Sequence, residues 1–114
     1  MRVVYNKLVR DLMPEIIVAN GRQPATRVLD HASYQGALRS KLVEEAQEAE
    51  AASDEQLVSE LADVLEVLKA LAQAHGMKWD DIEVQAARKR AERGGFDRRI
   101  FLEYVDEGSI SKPE

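Results

Sequence analysis

The chain has 114 residues, with 16 Lys and Arg against 21 Asp and Glu, and no cysteine. A net charge of −5 argues against a protein that coats nucleic acid polymer or an anionic membrane, and the lack of cysteine removes disulfides, thiolate zinc sites and cysteine nucleophiles. With no run of about 18 apolar residues and a composition rich in Ala, Leu, Glu and Lys/Arg, the chain is expected to be one soluble, cytoplasmic, all-α domain over residues 1–114.

Val3 to Tyr5 would open a short extended piece, after which Lys7, Arg10 and Asp11 fall at spacings that one helical turn gathers. Pro14 suits the first turn of a helix, so Met13 to Ala19 is expected to be helical and to end at Asn20-Gly21. Pro24 keeps the next stretch irregular, Thr26 to Leu29 is a candidate edge strand, and Asp30 or Ser33 is a candidate N-cap.

From Ala32 to about Ala51 the pattern is helical, with Tyr34, Leu38, Leu42 and Ala49 on one side. At 100° per residue from Leu38, Glu45 falls at about −20°, inside the apolar stripe, Glu48 at about −80°, on its edge, and Glu44 at about −120°. A carboxylate taken into a core without a partner costs several kcal/mol, so Glu45 calls for a cation or a wet interface.

Ser53 and Asp54 supply the next N-cap, and Leu57, Leu61, Val64, Leu68, Leu71 and His75 mark a strong stripe that Gly76 stops. Measured from Leu57, Glu60 lies in that stripe at about −60° and Asp63 on its border at about −120°, while Glu66 falls on the solvated face. Each helix therefore carries one acid in its apolar stripe and another, three residues on, at the rim. A third helix is signalled from Trp79-Asp80-Asp81, with Asp80 as cap, to Arg93 before Gly94-Gly95. Its basic end runs on through Arg98 and Arg99 to the apolar Ile100, Phe101, Leu102 and Tyr104, which are expected to fold back on the bundle or onto a partner. Residues 107–114 are expected to fray.

Four carboxylates from two facing helices match the hard oxygen ligands that Mg²⁺ or Mn²⁺ takes. Zinc is disfavoured, since His31 and His75 lie outside the acidic pattern. The competing reading is a solvated acidic face, against which the two in-stripe positions weigh. The segment KRAERGGFDRR offers Lys89, Arg90 and Arg93 to phosphate oxygens, with Gly94 and Gly95 admitting backbone N–H groups, although the same residues also suit an ordinary helix end. Lys7 and Arg10 are either further phosphate contacts or surface charges, and His75 is a core or capping residue rather than a base.

The motifs Glu44-Glu45-Ala46-Gln47-Glu48 and Glu60-Leu61-Ala62-Asp63 resemble the E-E-x-x-E and E-x-x-D signature of the all-alpha nucleotide pyrophosphohydrolases, the MazG-like superfamily that includes phosphoribosyl-ATP pyrophosphohydrolase. The segments from Tyr5 to Ile17 and from Lys89 to Glu103 resemble one subgroup of it, with a departure at Leu12, where that subgroup carries a basic residue. The resemblance implies Mg²⁺ held by Glu45, Glu48, Glu60 and Asp63, with Glu44 as a further ligand or the general base. It also implies hydrolysis of a nucleoside triphosphate between the alpha and beta phosphates, and a homodimer or homotetramer whose pairing completes a four-helix core. Phosphoribosyl-ATP hydrolysis in histidine synthesis and a non-catalytic helical interaction module are the rival functions.

Overall fold

A computed structural model describes residues 1–106; the expected fraying of residues 107–114 lies outside them. Among the described residues there are four α-helices and no strand: α1 (Met13–Ala19), α2 (His31–Ala51), α3 (Asp54–Ala74) and α4 (Trp79–Arg93). The all-α class is as expected. No described helix is long and apolar enough to cross a membrane. By its internal contacts the chain divides into two compact units, Met1–Ile82 and Glu83–Glu114.

Local chemistry explains where the long helices start. Asp30 is the N-cap of α2, and its carboxylate accepts the Ser33 backbone N–H at 2.8 Å. That bond, with help from the Ser33 hydroxyl, holds Asp30 below the usual carboxylate range. Ser53 caps α3 by accepting from Gln56 N–H at 3.3 Å, and Asp54 and Glu55 follow in the first turn, where the helix dipole favours acids. Replacing Ser53 with Ala should cost about 1 kcal/mol, read as a lower Tm by circular dichroism. At the other end His75 is the C-cap, and Gly76 takes the left-handed φ of 69° that glycine adopts without strain.

Three expectations need correction. Thr26 to Leu29 form no strand; the described residues offer no sheet edge to pair with, and Val28 is fully exposed. Asp80 lies inside the first turn of α4 rather than capping it. The buried face of α3 is also shifted by about 50° from the expected stripe, through Glu60, Val64, Val67 and Leu71, with Ala72 buried on its other side. A single partner helix covers only one flank of so broad a stripe, and Leu61, Leu65 and Leu68 are left exposed beside Val58.

The two long helices form an antiparallel hairpin across the Ala52-Ser53 link. At its open end Gln35 Nε2 donates to the Ala74 carbonyl at 3.1 Å; toward the link Glu45 of α2 meets Glu60 and Asp63 of α3. Leu38, Val67 and Ala72 are its buried apolar residues. Among the described residues Glu45 is the one charged residue buried with them.

Candidate metal centre

On α2, Glu45 is 7% exposed, as its place in the apolar stripe requires. Glu60 and Asp63 face it from α3, half-buried. One carboxylate oxygen from each of Glu45, Glu60 and Asp63 lies within 4.8 Å of the others, and the same holds for Glu44, Glu45 and Glu48. Glu45 belongs to both groups. Two of the oxygens, Glu45 Oε2 and Glu60 Oε2, are buried with no hydrogen-bond partner.

Carboxylates that converge in this way repel unless a cation or a proton offsets their charge. Burial, and then the neighbouring Glu48 carboxylate, push the Glu45 carboxyl above its ordinary value, against the opposing pull of Lys41. Lys41 Nζ lies 3.3 Å from Glu45 Oε1 and 2.6 Å from Glu44 Oε2. Burial works against the Lys41 charge, yet its bonds to Glu44 and Glu45 leave the ammonium above its usual range. Glu44 is held below the usual carboxylate range by the Lys41 hydrogen bond, with Lys7 Nζ 3.8 Å from its other oxygen. Arg10 donates to Asp63 Oδ1 at 2.7 Å.

Of the residues singled out from sequence, Glu44, Glu45, Glu48, Glu60 and Asp63 come together, and Lys7 and Arg10 join them as ion-pair partners of the acids. Lys89, Arg90, Arg93, Gly94 and Gly95 belong to the second unit. There Gly94, at φ 85°, stops α4, and the absent Cβ of Gly95 leaves room for the Arg90 guanidinium, which pairs with Asp97 at 3.5 Å. A Cβ at Gly95 would stand 3.0 Å from that guanidinium. The sequence reading missed Lys41. Its signal was present, because a lysine three and four residues before two glutamates pairs with both along a helix.

Two cavities flank the hairpin. One, of about 380 Å³, is lined by Tyr5, Lys7, Ser40, Lys41 and Glu44 among others. The other, of about 260 Å³, is largely apolar and lies between Arg39, Leu42, Leu71, Trp79 and Ile82, with His75 on its wall. His75 is thus the capping residue expected, with a buried Nε2 that has no partner.

Residues 9–90 match the family described as Phosphoribosyl-ATP pyrophosphohydrolase. An uncharacterized protein of Mycolicibacterium smegmatis is 50% identical over 46 residues, which are 40% of this chain and 47% of that relative. The match therefore spans about half the length of the curated relative. No solved structure matches.

Proposed function

The chain belongs to the phosphoribosyl-ATP pyrophosphohydrolase family, hydrolases acting on phosphoric anhydrides, and from that premise we propose that it cleaves a nucleoside triphosphate between the alpha and beta phosphates. The products are a nucleoside monophosphate and pyrophosphate, a reaction suited to clearing unwanted nucleotides from the pool. The observation that carries this reading is the convergence of Glu45, Glu60 and Asp63, with two buried oxygens lacking any partner. The donor set fits a hard divalent cation: all oxygen, anionic, and half open to solvent at Asp63 and Glu48.

In this reading Glu45, Glu48, Glu60 and Asp63 hold Mg²⁺, or Mn²⁺ in its place. When bound, the ion supplies charge to the phosphate oxygens and acidifies a coordinated water. Glu44 is ionised at neutral pH, as a general base must be, and sits one residue from Glu45 without belonging to the group that spans both helices. Within the first unit Lys7 and Arg10 neutralise phosphate oxygens; within the second, Lys89, Arg90 and Arg93 with Gly95 form an anion-binding set of their own, and the Gly94 N–H is already given to the Arg90 carbonyl at 2.8 Å. Substituting Gln for Glu44 should slow turnover by about 10²-fold or more while Mg²⁺ affinity stays near wild type. Equal loss of both would make Glu44 a ligand.

Self-association belongs to the same proposal. The exposed strip Val58, Leu61, Leu65 and Leu68 on α3 is an unfilled half of a helix-packing face, and a second copy of the hairpin would close a four-helix core. Sedimentation should show a dimer or tetramer at micromolar concentration; a monomer would count against it.

The deciding experiment is a pyrophosphate-release screen over ordinary and modified nucleoside triphosphates and phosphoribosyl-ATP, with Mg²⁺ or Mn²⁺ present. Release from the triphosphates supports the proposal. Release from phosphoribosyl-ATP alone moves the protein to histidine biosynthesis, the reading that the family's description favours. Release from none leaves the non-catalytic module standing.

A further inference from the structure

We propose that Lys41 is a mobile counter-ion of the carboxylate cluster. Its ammonium occupies Glu44 and Glu45 until a divalent cation takes Glu45, and it then turns into the adjoining cavity to meet the phosphates of a nucleotide. The inference rests on the metal reading above and assigns a role within it to a residue that the sequence motifs leave out.

The geometry carries the first half. Lys41 reaches Glu44 Oε2 at 2.6 Å and Glu45 Oε1 at 3.3 Å, so it fills the position a cation must fill when acids converge. The fit is incomplete. A single ammonium leaves Glu45 Oε2 and Glu60 Oε2 buried and unpartnered, whereas a divalent ion reached by Glu45, Glu60 and Asp63 together would answer both. Lys41 holds Glu45 Oε1 and the ion would take Oε2, and an ammonium and a divalent ion on the two oxygens of one carboxylate repel, so the ion loosens the hold of Glu45 on Lys41.

The cavity carries the second half. Lys41 hangs from a rigid helix by a flexible four-carbon stem, and it already lines the 380 Å³ space that it shares with Lys7, Ser40 and Tyr5. Rotation of the stem takes Nζ from the carboxylates toward that space with no movement of backbone. There Glu44, which also lines the cavity, is the one carboxylate facing two lysines, and that excess of positive charge suits a polyphosphate. Metal and phosphate then favour one another's binding through Lys41.

The test compares the full chain with Lys41→Met and Lys41→Arg. In EDTA, Lys41→Met should melt about 5 °C or more below wild type, because Glu45 and Glu44 lose their cation, and Lys41→Arg should stay close to wild type. In calorimetric titration Lys41→Met should bind Mn²⁺ about tenfold more tightly than wild type, since nothing is left to displace. Should Lys41→Met be unfolded in EDTA, recovery of its helical signal by Mn²⁺ is the same result. Independently of either variant, the ammonium resonance of Lys41 in the ¹⁵N-labelled wild type should be sheltered in EDTA and shift or broaden away at one equivalent of Mg²⁺. Mn²⁺ affinity no tighter in Lys41→Met than in wild type, or a Lys41 resonance unmoved at saturating Mg²⁺, overturns the proposal while the metal reading stands. A wild type that binds neither ion overturns both.

Discussion

Glu45→Gln should lower pyrophosphate release by about 10³-fold and abolish the Mg²⁺-dependent rise in Tm. The expectation follows from position. Glu45 is the one acid common to both carboxylate groups, and it is the most buried of the five, so no exposed neighbour can take its place. Without metal the same substitution acts in the other direction. Burial and Glu48 raise the Glu45 carboxyl, so its charged form costs stability above that raised value and the cost is absent below the unfolded value. The neutral amide escapes this cost. In EDTA at neutral pH, Glu45→Gln should melt at or above the wild-type Tm, and the difference should vanish as the pH falls through the ordinary carboxylate range. A lower Tm in EDTA combined with an unchanged response to Mg²⁺ would remove Glu45 from the ligand set.

Leu38→Ala should destabilise the folded chain by about 3 kcal/mol. Leu38 is 3% exposed, and beside it only Val67 and Ala72 are buried apolar side chains among the described residues. A typical domain has only about 5–15 kcal/mol in total, so this one truncation removes a large share of what holds α2 on α3. If a second copy covers the remaining face of α3, the loss should shrink as protein concentration rises, because association draws on the folded form alone. Thermal melts across a hundredfold range of concentration measure this. A Tm independent of concentration in both wild type and variant would contradict the self-associating hairpin.

Much of this arrangement could be read from the chain. The ends of α2 and α3 followed from Asp30, Ser53 and Gly76, whose effects reach no further than one turn. The paired acids followed from helical period, because an acid in an apolar stripe conflicts with its surroundings wherever it occurs. The rotation of α3 did not follow. Its stripe is broad enough to offer several faces, and which one α2 covers depends on the partner surface rather than on the stripe itself. Arg10 on Asp63 was equally hidden, since the two are 53 residues apart and nothing local to either announces the other. Lys41 differs from both, because its signal is local: it stands three and four residues ahead of Glu44 and Glu45 on one helix, within reach of both.

The proposed ligands all lie within residues 45–63, on either side of a link made by Ala52 and Ser53. Contacts between segments so near in the chain close quickly, because little loop entropy stands in their way. Lys7 and Arg10 must arrive from far earlier in the chain, at a higher entropic cost. On that ordering the acidic centre should take shape ahead of the N-terminal cations that pair with it, whereas Lys41, carried on the same helix as Glu44 and Glu45, is paired with them locally. If the proposed ligands do hold a cation, that order would complete the site on the hairpin before the chain around it is in place.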